Sequence, residues 1–282
     1  MAAKKKSSHR RQQYTLHVVS DQTGSLANHM ITAILTQFPD IEFQKVYHTF
    51  QDSPGKVAET VKTFKRHRHI VFHALVDPES KNVIRDACAR LKVPHFDLTG
   101  SLVQFIADHT GMQPVNELSR LHAVDAGYFQ RIEAMEFTAL HDDGRNLDTL
   151  HEAEIVIVGL SRVSKSPTAT YLGALGYKTA NVSVAPETGF PRELNRVKKR
   201  TVAFTVQPKM LHDVRGKRIE EWELGQTNYG NLREIIREVM AAEEEYRRRK
   251  LPVLDITGMT IEKIAAWVLK TLKVKRKNLS YL

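Results

Sequence analysis

The run Glu154-Ile155-Val156-Ile157-Val158 is apolar after its first residue and has the length of a strand. It leads into Gly159-Leu160-Ser161-Arg162-Val163-Ser164-Lys165-Ser166, with Pro167 and Thr168 directly behind and a helical stretch from Ala169 to Ala174. Strand, tight loop and Lys-Ser at a helix start form the setting of a phosphate-binding loop. Backbone N–H groups turn inward on an anion, the helix N-terminus adds positive potential, and the lysine reaches the outer phosphates. The Ser166 hydroxyl then stands where Mg²⁺ is held. The usual pattern G-x-x-x-x-G-K-[ST] has a second glycine where this chain has Ser164, so Ser164 must supply a positive φ at some strain or the loop must take another shape. The competing reading is an ordinary strand-to-helix turn with a serine N-cap.

Around this stretch, elements alternate along the chain. Strands are expected at Thr15 to Val19, Glu42 to Tyr47, His69 to Leu75 and Pro94 to Leu98. Between them fall helices at Leu26 to Gln37, from Asp52-Ser53-Pro54 to about Lys65, and at Pro78 to Leu91, with a further helix at Ser101 to Asp108. Alternation of this kind specifies a parallel sheet with helices on both faces. Gly111 to Gly127 has no clean period and contains Pro114, which reads as a linker. Beyond it a helix starting at Tyr128 ends in His141-Asp142-Asp143-Gly144. That ending is either a helix C-terminus closed by a polar turn, or a pair of acids able to reach a metal or a hydroxyl. Strands at Lys178 to Val184, Thr201 to Val206 and Pro252 to Ile256 follow, with helices at Lys209 to Glu221, Asn231 to Arg249 and Ile261 to Leu272. Leu232, Ile235, Ile236, Val239 and Met240 recur at core-facing spacing. Asp255 ends an apolar strand, where a second metal-directing acid could stand or a turn could begin.

The expected fold is therefore α/β: an N-terminal doubly wound parallel-sheet domain (14–111), a linker (112–127), and a C-terminal P-loop kinase-like α/β domain (128–272). Basic tails flank them at 1–13 and 273–282. At 282 residues the chain can bury two cores, and its apolar fraction of 41% and charged fraction of 26% fit a soluble globular protein. No apolar run nears the roughly 20 residues of a membrane span. The N-terminus has no apolar core, and the lone Cys88 excludes an intrachain disulfide. Together these lead to an expected location in a reducing cytoplasm.

The net charge of +10 suggests nucleic acid until it is located. Lys4, Lys5, Lys6, Arg10 and Arg11 lie at one end, and Lys270, Lys273, Lys275, Arg276 and Lys277 at the other. The body between them holds 32 basic and 32 acidic residues. The excess sits in segments expected to be solvated, so no specific nucleic-acid partner is expected. The 13 histidines are scattered; His67 and His69 make no convincing metal pair. The absence of H-E-x-x-H, a cysteine cluster and G-x-S-x-G leaves zinc hydrolysis and serine esterase chemistry without support.

Three stretches together carry a resemblance from Leu16 to Leu272. They are Val18-Val19-Ser20-Asp21-Gln22-Thr23-Gly24, then Tyr128 to Phe137 with His141-Asp142-Asp143-Gly144, then Gly159 to Thr168. In combination they resemble the pyruvate, phosphate dikinase regulatory protein family, whose sister branch regulates phosphoenolpyruvate synthase. Members carry Gly or Ser where Ser164 stands. Leu160, Val163 and Ser166 replace commoner residues, Ser166 keeping the hydroxyl, and Ala203 stands where Gly is usual. Ser164-Lys165-Ser166 and Tyr128-Phe129 lean toward the dikinase branch.

The resemblance implies a bifunctional enzyme. It would phosphorylate a threonine beside the dikinase's catalytic histidine with ADP as donor, and remove that phosphate with inorganic phosphate, releasing pyrophosphate. The implied cofactors are ADP and Mg²⁺, with phosphate as co-substrate of the reverse reaction. The implied partner is the dikinase, or the synthase, and no membrane; a homodimer is kept as an option. Lys165 and the loop amides of Gly159 to Ser166 would hold the donor phosphates, and Arg162 would neutralise developing charge. Asp142 or Asp143 would orient the threonine or the metal, and Asp21 is a lesser contributor. Two rivals stand beside this reading: an ATP-dependent phosphate-loop kinase of a small molecule, and a nucleotide-sensing module without catalysis.

Overall fold

The computed structural model describes residues 12–116, 126–184, 189–221, 228–275 and 277. Outside them lie 1–11 of the N-terminal tail, 117–125 of the expected linker, 185–188, 222–227, and 276 and 278–282 at the C-terminal end. By contacts the chain divides into two compact units, Met1–His122 and Ala123–Leu282.

The first unit runs β1 (Gln12–Ser20), α1 (Ser25–Leu35), β2 (Ile41–His48), α2 (Pro54–Thr60), β3 (His69–Ala74), α3 (Pro78–Leu91), β4 (His95–Asp97) and α4 (Gly100–Thr110). Its strands are all parallel in the order β2-β1-β3-β4. The second runs α5 (Ala126–Leu140), β5 (Ile155–Gly159), α6 (Lys165–Ala174), β6 (Thr179–Ser183), β7 (Thr201–Thr205), α7 (Pro208–Glu221), α8 (Leu232–Arg248), β8 (Val253–Asp255) and α9 (Ile261–Thr271). Its order, β6-β5-β7-β8, repeats that of the first unit, again all parallel. In each, the first strand sits inside and the chain changes direction across it. The crevice beyond the carboxyl ends of β5 and β7 is thus the place where such a sheet receives a ligand.

Local chemistry explains the elements. All five residues of β5 are buried, as a strand covered on both faces requires. α3 begins where the Asp77 side chain accepts the N–H groups of Glu79 and Ser80 and Pro78 fills the first helical position. Cys88 on this helix is fully buried, and burial pushes its thiol up to about 11. Ala203 takes a regular place in β7, paired with Val158 and Val253.

Three expectations are corrected. α2 stops at Thr60, followed by a single 3-10 turn at Val61–Thr63, because the backbone turns extended at Phe64 to bury that ring against His17, with centroids 4.7 Å apart. On α8 only Ile235 and Val239 of the expected stripe are buried, joined by Ala242 and Tyr246. Leu232, Ile236 and Met240 form the neighbouring i, i+4 row and are exposed, because the core takes up a single row of this helix. In the C-terminal basic segment, the described residues Val274 and Lys277 are docked. The Lys277 ammonium donates to Glu154 at 2.7 Å and to the Gly176 carbonyl at 2.6 Å, while Val274 packs on the core. Among the described residues, no helix is long and apolar enough to cross a membrane.

Candidate functional site

The loop between β5 and α6 turns back tightly on its own strand. A Cβ added at Gly159 would meet the Val163 side chain at 2.6 Å and the Phe204 carbonyl at 3.1 Å, so only glycine fits there. Val163 and Leu160 are buried and anchor the loop from beneath. Arg162 and Ser164 both take left-handed backbone conformations, with φ of 72° and 55°. Ser164 therefore does the work of the missing glycine at a cost of about 1 kcal/mol. Its side chain makes no capping hydrogen bond to α6, which removes the reading of a plain serine N-cap.

Lys165 opens α6 and is 5% exposed. Its ammonium donates to the Leu160 carbonyl at 2.8 Å across the loop. Burial lowers its pKa to about 8. Asp143 and Asp142 pull it upward, and the nearby charges of Arg162 and Arg215 push it down. Ser166 is half-buried in the first helical turn and Arg162 is exposed.

The acidic pair sits where the end of α5 meets β6. Gly173 lets α6 approach α5 closely, since a Cβ there would lie 2.8 Å from the Thr138 hydroxyl. Beyond α5, the His141 carbonyl accepts the Asn181 N–H at 3.1 Å. The Asn181 amide donates to Asp142 at 2.6 Å and its oxygen accepts the Asp143 N–H at 3.2 Å. Asp143 itself has φ 53° and accepts from the Ser183 hydroxyl. The ending is thus a turn, and it is also a pair of acids within electrostatic reach of Lys165. The pair divides: Asp142 is held by buried Asn181, whereas Asp143 lines an open cavity of about 410 Å³ together with Ser161 and Ser183.

Sequence reasoning missed Arg215 of α7, Tyr229 and Glu238 of α8, which line the same cavity. The Tyr229 hydroxyl is 3.2 Å from that of Ser161. These residues lie far from the loop in sequence, and only the strand order brings their elements to this crevice. Two candidates fall elsewhere. Asp255 on edge strand β8 accepts from the N–H and hydroxyl of Thr257 at 2.9 and 2.5 Å, a turn of its own. Asp21 belongs to the first unit, where it is buried and accepts the Val76 N–H at 2.6 Å; burial raises its pKa. That unit also holds a chain of rings, His17 bonded to His48 at 2.9 Å and to His69 at 2.8 Å. No group of three or more His, Cys, Asp or Glu among the described residues could hold a metal ion.

Fold and site define a two-unit parallel α/β protein whose second unit presents a lysine-bearing strand–loop–helix junction suited to phosphate groups. A family model described as kinase/pyrophosphorylase matches residues 16–269, and the chain belongs to that family. Among curated relatives, a Rhodospirillum rubrum protein is 34% identical over 263 residues, covering 93% of this chain and 96% of its own. A Pelagibacter ubique protein is 29% identical over 269 residues, covering 94% and 98%, and one from Clostridioides difficile is 30% identical over 261 residues, covering 92% and 93%. Each is provisionally named a pyruvate, phosphate dikinase regulatory protein.

Proposed function

We propose that this chain regulates pyruvate, phosphate dikinase by reversible phosphorylation of a threonine, using ADP as donor and inorganic phosphate to reverse the modification. The observation that carries this reading is Lys165. A buried ammonium at a helix start, under a loop with two left-handed residues and facing two acids, is costly without a phosphate to hold and useful with one. The relatives' names supply the protein substrate, and the family supplies the pairing of kinase with pyrophosphorylase.

In the kinase direction, Lys165 and the loop amides hold the ADP phosphates. The bond from the β-phosphorus to the bridging oxygen breaks as the threonine oxygen bonds that phosphorus, and AMP leaves. Asp143 accepts the threonine proton. Arg162 supplies positive charge at the exposed side of the loop. In the reverse direction, an oxygen of inorganic phosphate gives its proton to Asp143 and attacks the phosphothreonine phosphorus. The bond from that phosphorus to the threonine oxygen breaks, the threonine oxygen takes the proton from Asp143, and pyrophosphate departs. Positioning and charge neutralisation dominate such chemistry.

Mg²⁺ fits this residue set: it is commonly held by one or two protein oxygens, substrate phosphates and water, and Ser166 offers a hydroxyl in the first turn of α6. When bound, it would neutralise phosphate charge. The test is incubation with labelled ADP or ATP and purified dikinase. ADP-dependent label on a dikinase threonine supports the proposal. ATP-dependent label on a small metabolite, or nucleotide binding without transfer by verified active protein, defeats it.

A further inference from the structure

Arg215 is among the largest fully buried side chains of the protein, at 2% exposure. A guanidinium carries five N–H donors. Among the described residues its Nη2 donates to the Glu238 carboxylate at 2.8 Å and its Nη1 to the Tyr229 carbonyl at 3.3 Å, while its buried Nε meets no acceptor. The Tyr229 ring covers the guanidinium face with its centroid 4.3 Å from Cζ. Burying a cation this incompletely satisfied is unfavourable, and an apolar side chain would fill the α7–α8 seam at less cost. Stability alone gives no reason for an arginine here. Its setting gives one: the side chain lines the same cavity as Asp143 and Ser161, and its charge is felt at Lys165.

We propose that Arg215 binds a phosphoryl group in this cavity, at a subsite beside the Gly159–Ser166 loop, whose Leu160 and Ser161 line the same space. This deepens the proposed function and rests on it for what the cavity serves. The ligand is a tetrahedral phosphate dianion, carried by the phosphorylated threonine or arriving as inorganic phosphate. The reverse reaction requires two such anions side by side, one attacking and one under attack. At adjoining positions they repel one another. Lys165 and Arg162 belong to one loop and serve the anion held there, and Arg215 is the cation from another element that lines the cavity for the second. The guanidinium gives one N–H of Nη2 to Glu238 and one of Nη1 to the Tyr229 carbonyl, so each Nη keeps a second N–H for phosphate oxygens. Asp143 lines the same cavity, within reach of an oxygen that gains or loses the phosphoryl group there.

The test measures binding, so it is read independently of whether ADP proves to be the donor. With AMP saturating the loop, full-length protein is titrated calorimetrically with a phosphothreonine peptide and, separately, with orthophosphate. Arg215→Lys should weaken the bound ligand about tenfold or more while changing AMP affinity less than about twofold. Loss confined to the peptide assigns the subsite to the phosphorylated side chain, and loss confined to orthophosphate assigns it to the free ion. Glu238→Gln, which leaves Arg215 and its packing in place, should weaken the same ligand by a smaller factor and serves if Arg215→Lys fails to fold. In unaltered protein, the buried arginine Nε–H resonance should shift when the ligand is added. Binding unaffected in the folded variants, no binding once AMP fills the loop, or an unmoved Nε–H resonance would overturn the assignment.

Discussion

The free protein should lose ADP affinity about tenfold between pH 7 and pH 9, as Lys165 gives up its proton. Burial holds this ammonium at a pKa of about 8 where an exposed lysine titrates at 10.5. The shift corresponds to a preference for the neutral form on the order of 3 kcal/mol. Protonated Lys165 is the form that attracts phosphates, and its population falls from about nine-tenths to one-tenth across this range. Stability moves the other way. Between the folded and unfolded pKa values the unfolded chain binds more protons, so raising the pH from about 8 to 10.5 stabilises the native state. Weakened binding with undiminished stability therefore separates titration of Lys165 from alkaline unfolding. The assay is calorimetric titration with ADP at about half-unit pH steps, paired with thermal unfolding at each step. Lys165→Arg, which keeps its charge throughout, should bind ADP with a flat profile. Wild-type affinity that stays flat to about pH 9.5, or an equal fall in Lys165→Arg, would refute the reasoning.

Ser164→Gly should raise unfolding stability by about 1 kcal/mol, measured by urea denaturation, because glycine adopts the φ of 55° without strain. Asp143→Asn should slow phosphoryl transfer by roughly a hundredfold or more in a radiolabel assay while ADP binding persists. Asp142→Asn should cost less, since that side chain already bonds Asn181 rather than lining the cavity. His17 and His73 are both held near pKa 4 by burial, so the unfolded chain binds more protons below pH 6.5. Stability should then fall as pH drops from 6.5 toward 4, by up to about 3 kcal/mol per histidine, as followed by denaturation at stepped pH. ADP should compete with phosphate in the reverse reaction, and Lys165→Ala should damage both directions together, because one loop holds a phosphate in each.

The order of elements was legible because most strands are rich in apolar or β-branched residues and several helices carry local start signals. Pro78 at a helix start is a local fact, and α3 begins there. The Ser164 anomaly was also local: the pattern demanded a positive φ, and the backbone supplies it. The burial of α8 was less legible, because Leu232, Ile236 and Met240 satisfy the same spacing as a buried row; only the neighbouring elements decide which row is covered. Arg215, Tyr229 and Glu238 carried no signal at all. Nothing in their spacing marks an arginine on α7 as facing a loop some fifty residues earlier, and the parallel order β6-β5-β7-β8 is what joins them. The division between Asp142 and Asp143 rested likewise on Asn181 and Ser183, which belong to another strand.

The central claim is that the lysine-bearing loop transfers the β-phosphoryl group of ADP to a protein threonine. The most direct measurement is incubation of purified dikinase with this protein and ADP labelled in the β-phosphate, followed by mass-spectrometric location of the label and assay of AMP. The account predicts one labelled threonine on the dikinase, AMP formed in equal amount, and loss of both in Lys165→Ala. Label transferred equally well by Lys165→Ala, or no label from ADP while ATP labels the same threonine, would contradict it.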